Sequence, residues 1–156
     1  MSRKFCRRKV YTLANGLTPF EVAMHNASKL TAAEWDEQYL PIAVTVEELM
    51  RGEWDFGENW SPMLECLRRI KTMLDLKKMP DHGLVAEAEV AFATALNRQK
   101  ATGARAFKAD ELRILREVAN VYGDLLKEVT HGEFAQACRK TKDHFTRLNR
   151  QKAKSA

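Results

Sequence analysis

Three threonines, Thr18, Thr31 and Thr130, each stand three residues before a glutamate (Glu21, Glu34 and Glu133) where a helix can begin. In this pattern the threonine hydroxyl accepts from a free N–H of the first turn, and the glutamate reaches back to the capping N–H. Pro19 follows Thr18 at the first helical position, where its missing N–H costs nothing. Each such cap is worth about 1 kcal/mol. The caps therefore set boundaries, and apolar faces must supply most of the stability.

Those faces follow. Behind Thr31, the residues Trp35, Tyr39, Ile42, Val46 and Leu49 recur at intervals of three and four, one face of an amphipathic helix. Pro41 falls inside it and predicts a kink or break; Gly52 is the expected stop. A third stripe runs Trp60, Leu64, Leu67, Ile70 and Leu74, capped from 55–58 or begun later at Ser61-Pro62. Residues 79–83, Met-Pro-Asp-His-Gly, read as a linker. The alanine-rich run from Leu84 carries Val85, Ala88, Phe92, Ala95 and Leu96, and Thr102-Gly103 ends it. Leu112, Leu115, Ala119, Tyr122, Leu126 and Val129 form the next stripe. Phe134, Cys138, Thr141, Phe145 and Leu148 form the last, behind Thr130. The helix that follows Thr18 should be short, ending near Ser28. No strand alternation of useful length appears and no internal repeat is visible. The prediction is an all-α fold, a compact bundle of about six helices in one domain over 1–156, with a basic segment at 1–12 and a basic tail at 149–156.

A chain of 156 residues buries about 70% of its unfolded surface on folding, so neither disulfide nor metal is required. Its three cysteines, Cys6, Cys66 and Cys138, are odd in number and lack Cys-x-x-Cys spacing. That argues against a secreted disulfide framework or a zinc ribbon. Cys66 and Cys138 fall on apolar stripes and should be buried thiols, while Cys6 sits among bases that lower a thiol pKa. No apolar run approaches the roughly 20 residues of a membrane span, and the N-terminus lacks an apolar signal core. We expect no membrane association and a cytoplasmic location.

Charge is distributed unevenly. The first ten residues carry +5 and residues 139–156 carry +6, which leaves −6 on the body between them against a total of +5. Residues 31–65 hold nine carboxylates against one base, Arg51. An acidic helical face with an aromatic loop, comprising Glu34, Asp36, Glu37, Glu47, Glu48, Glu53, Trp54, Asp55 and Glu58, is the candidate surface for a basic partner. Trp54 serves there as a binding anchor or as a plug at the end of the bundle. The alternative is direct nucleic-acid binding through Arg3, Lys4, Arg7, Arg8, Lys9, Arg147 and Arg150. Solvated charges without an outward role, or basic ends folded back on the acidic body, are the competing readings.

No chemistry-bearing motif is present. The four histidines, His25, His82, His131 and His144, form no His-Glu-x-x-His pair. The chain has no Gly-rich phosphate loop and no Gly-x-Ser-x-Gly elbow. No catalytic residue, metal site or cofactor is assigned, and the chain is not read as an enzyme.

Arg7-Arg8-Lys9-Val10-Tyr11 followed by Thr18-Pro19-Phe20-Glu21-Val22-Ala23-Met24 resembles the opening of small all-helical proteins encoded by proteobacterial phages and prophages. Thr18 stands where that pattern has Asn. The resemblance implies a phage or prophage accessory protein acting in a bacterial host. Its expected partner is a host protein or protein–nucleic acid complex, and its sharpest form is an inhibitor of a defence system such as CRISPR.

Overall fold

The computed structural model describes residues 18–53 and 60–155. Among them are six helices: α1 (Pro19–Ala27), α2 (Ala32–Arg51), α3 (Trp60–Lys77), α4 (Leu84–Thr102), α5 (Ala109–Glu128) and α6 (His131–Ser155). The result is an all-α bundle. α2 packs on α5 and α3, α4 on α5 and α3, and α6 on α3 and α1.

All three threonine caps form. Glu21, Glu34 and Glu133 accept the Thr18, Thr31 and Thr130 backbone N–H groups at 2.7, 2.8 and 2.9 Å. The threonine hydroxyls accept the returning N–H groups at 3.2 to 3.3 Å. Gly52 and Gly103 close α2 and α4 in left-handed conformation, φ 71° and 74°, a backbone region open to glycine without a Cβ clash. α1 ends at Ala27 with Ser28 as its C-cap, as expected. Residues 55–58 lie outside the described residues, and α3 is helical from Trp60.

Pro41 does not break α2, which runs through it to Arg51. The proline sits on the exposed side, so the Glu37 carbonyl that loses its N–H partner faces water. One turn on, the Thr45 hydroxyl donates to the Pro41 carbonyl at 2.8 Å. A solvent-facing proline leaves no buried group unsatisfied, which removes the larger part of the usual penalty.

The core follows the stripes: Ile42, Val46, Leu49, Leu67, Ile70, Phe92, Leu115, Tyr122 and Leu126 are all buried. Trp35, Tyr39, Leu96, Leu112 and Phe134 pack against it half-buried. Phe107, in the α4–α5 connection, completes an aromatic cluster with Trp60 and Phe92; Phe92 lies 4.8 Å from Trp60 and 5.9 Å from Phe107 between ring centres. Cys66 is buried and Cys138 half-buried, both as free thiols. No helix among the described residues is long and apolar enough to cross a membrane.

Candidate functional site

The inward stripe of α2 fixes what its other face presents. Successive residues turn by about 100°, so with Ile42, Val46 and Leu49 in the core, Asp36, Leu40, Val44 and Glu47 point outward. Leu40 and Val44 are each 54% exposed, one turn apart on the same row. Asp36, Glu37 and Glu47 flank them in the open, and Glu53 is exposed just beyond the helix end. None of these four carboxylates forms an ion pair among the described residues. Glu48 is half-buried. Trp54, Asp55 and Glu58 lie outside the described residues. Leu40 and Val44 lie outside the charged set that the sequence singles out; their signal in the sequence is a pair at i and i+4 off the core stripe, bracketed by acids.

Glu34 belongs to a different structure. Besides capping α2, it meets His131 at the start of α6, whose Nε2–H donates to both carboxylate oxygens at 3.0 Å. On the other edge of the ring, Nδ1 lies 3.0 Å from the Ser28 carbonyl and 3.0 Å from the Ser28 hydroxyl. His25 of α1 lies against the same ring, 4.2 Å between centres. Burial by itself lowers the His131 pKa, but the hydrogen bonds to Glu34, Ser28 and His25 and the Glu34 charge outweigh it and raise the pKa above its ordinary 6.5. The Thr31 N–H and hydroxyl, then His131, hold Glu34 down at about 2.

Serine, histidine and glutamate in hydrogen-bond reach suggest a nucleophilic triad, but the proton arrangement opposes it. The Ser28 hydroxyl donates to the His25 carbonyl at 2.7 Å. Its only proton is therefore aimed away from the imidazole that would have to take it. The ring is best satisfied as an imidazolium donating on both edges. That makes it a joint tying α1, α2 and α6 together, reinforced by the Lys29–Thr130 backbone bridge.

An apolar recess of about 310 Å³ lies between the ends of α3 and α5 and the start of α4, lined by Leu74, Met79, Leu84, Val121 and Leu125. Its rim carboxylates are already engaged: Asp81 accepts the Val85 N–H at 3.2 Å, and Asp124 and Glu128 pair with Lys127 and Lys29 at 3.1 and 3.2 Å. His82 and Glu117 complete its polar lining, a set that supplies no nucleophile with a base and an oxyanion donor. Among the described residues no three His, Cys, Asp or Glu side chains are grouped to hold a metal.

Of the basic candidates, Arg147 and Arg150 are exposed on α6. Arg3, Lys4, Arg7, Arg8 and Lys9, with Cys6, lie outside the described residues. No ion pair among the described residues joins the bases of 139–154 to Asp36, Glu37, Glu47 or Glu53. Compared with protein-family models, with curated proteins and with solved structures, the chain matches none of them.

Proposed function

We propose that the chain is a non-catalytic binding protein that docks the outward face of α2 onto a basic surface of a macromolecular partner. The observation that carries this reading is the open row of Leu40 and Val44, each 54% exposed, set among unpaired carboxylates. Apolar side chains give an interface its energetic centre, and a charged surround of one sign selects a partner of the other and speeds encounter. Residues 36–47 span about 17 Å at 1.5 Å per residue, enough to occupy a groove and exclude another occupant. The N-terminal resemblance to phage and prophage proteins supplies the context. In its sharpest form the protein is an accessory factor that inhibits a bacterial defence complex, such as a CRISPR effector, by occlusion.

The test compares the wild-type chain with a Leu40→Asp/Val44→Asp variant as bait in quantitative affinity purification from bacterial lysate. Both substitutions fall on exposed positions, and far-UV circular dichroism checks that the fold is kept. A partner captured by the wild type and depleted at least tenfold by the variant supports the reading, since a central apolar contact is worth more than 1 kcal/mol. Identical capture by both proteins, or no specific partner, refutes it.

A further inference from the structure

A second charged surface, distinct from α2, lies where α6 crosses α3. Arg68, Lys71, Lys140, His144 and Arg147 line a groove of about 290 Å³ between the two helices, with Asp75 and Asp143 beside them. None of its four permanent cations forms an ion pair among the described residues. The Arg68 Nε is buried and meets no acceptor among the described residues. Burial first, and then the charges of Arg68 and Arg147, lower the His144 pKa against the opposing charge of Glu89.

The groove opens onto a longer feature. Residues 146–151 of α6 are exposed at every position, so the helix continues beyond the packing that holds its first turns. Residues seven apart return to the same side with about 20° of drift. Lys140, Arg147 and Lys154 therefore form one row, with Arg150 at its flank. The row is about 21 Å long at 1.5 Å per residue, equal to about six phosphate steps along one strand of a duplex.

We propose that this α3–α6 face is a binding site for the sugar–phosphate backbone of double-stranded nucleic acid, read without base specificity. Three observations select that ligand. Guanidinium groups favour the forked geometry of phosphate oxygens. An anionic membrane surface calls for large apolar side chains beside the bases, and beyond residue 145 the only large hydrophobic exposed on α6 among the described residues is Leu148. A single strand calls for exposed aromatic rings on which bases stack. The one described aromatic pair on this part of α6, His144 with Phe145, is half-buried.

The experiment is fluorescence anisotropy of the full chain with a labelled 24-base-pair duplex, a single strand of the same length, and anionic phosphatidylserine vesicles as a separate arm. Duplex binding should be tightest at 50 mM salt. Log K should then fall against log salt with a slope of about −4, as four or five phosphate contacts require. The double charge reversal Arg147→Glu/Arg150→Glu should weaken binding at least tenfold and flatten the slope by about 2. Arg113→Glu, an exposed reversal on α5, should leave it unchanged. Arg68→Glu should weaken binding too, which separates the groove from a loose basic tail. No duplex binding at 50 mM salt, unchanged binding by the double reversal, or binding to vesicles without binding to duplex would each overturn the proposal. The α2 variant Leu40→Asp/Val44→Asp should bind duplex normally, so the two readings fail separately.

Discussion

Gly123 sits in the middle of α5, where alanine would ordinarily be better by about 1 kcal/mol. The surroundings reverse that preference. A Cβ at position 123 would lie 2.9 Å from Tyr39 Cε2, 3.1 Å from Tyr39 Cδ2 and 3.3 Å from Trp35 Cζ2. The tyrosine ring cannot simply retreat: it stacks on Trp35 at 4.4 Å, and the Lys127 ammonium covers that indole at 5.6 Å. The indole N–H is in turn tied to the Gly123 carbonyl at 2.7 Å. Overpacking of this kind costs about 1 to 3 kcal/mol, and disturbing the ring stack costs about 1 more. Set against the propensity gain, Gly123→Ala should destabilise the protein by about 1 to 3 kcal/mol. That corresponds to a Tm lower by roughly 3 to 9 °C for a chain of this size. Urea denaturation followed by far-UV circular dichroism and tryptophan fluorescence measures it. In a Tyr39→Leu background the same substitution should be neutral or stabilising, because the obstructing ring is gone. If Gly123→Ala stabilises the otherwise wild-type chain by about 1 kcal/mol, α2 and α5 do not meet as described.

Other positions give independent checks. Lys78 closes α3 with φ 54°, where a Cβ costs about 1 to 2 kcal/mol; Lys78→Gly should raise stability by about 0.5 to 1 kcal/mol in urea titration, after the entropy that glycine loses. Glu111 is buried, paired with Arg98, and accepts the Lys108 N–H at 2.7 Å. Glu111→Ala should cost about 3 kcal/mol by stranding the guanidinium, and the Arg98→Met/Glu111→Ala double variant should lose clearly less than the two single losses added. His131 has a raised pKa and Glu34 a lowered one. The joint they form is therefore complete between the ordinary values of 4.5 and 6.5, weakens as pH rises through the His131 pKa, and weakens again as pH falls towards 2. The Tm difference between wild type and His131→Gln should be largest near pH 5.5 and shrink by pH 9.

Sequence periodicity was a sound guide wherever the controlling interactions are local. Caps at Thr18, Thr31 and Thr130 are made within one turn, and the stops at Gly52 and Gly103 depend on the conformation of a single residue. Stripes such as Ile42-Val46-Leu49 report a face directly. The departures arise where a distant neighbour decides. Pro41 stays helical because its exposed side needs no protein partner. Phe107 is core although it lies in a connection, because Trp60 and Phe92 leave a place for a third ring. The Glu34–His131 contact spans 97 residues, and no local pattern announces it. α1 has a good cap yet buries no residue; Phe20 and Met24 stay 72% and 58% exposed, so its position is set by the joint at Ser28 and His131. The charge imbalance was legible in the sequence, but which carboxylates stand free depended on the partners each one found in the fold.

The separation of charge follows from the same packing that makes the core. α2 must turn Ile42, Val46 and Leu49 inward, so its acids at 36, 37 and 47 have only the outer side left. α6 turns Ala137 and Thr141 inward against its neighbours, and Lys140, Arg147 and Lys154 form a row along the flank of that buried side, where Lys140 and Arg147 face α3 across the groove. α3 contacts both helices and contributes Arg68 and Lys71 to the α6 side alone. Among the described residues no ion pair joins the two surfaces, and an exposed pair between them would return little. A partner that engages only α2 must be basic and tolerate the bases of α6 nearby; one that engages only α6 must be anionic and tolerate the acids of α2. A complex of protein with nucleic acid satisfies both at once. On such a partner, reversing α6 charges should change the salt dependence of binding, while removing Leu40 and Val44 should change chiefly the dissociation rate.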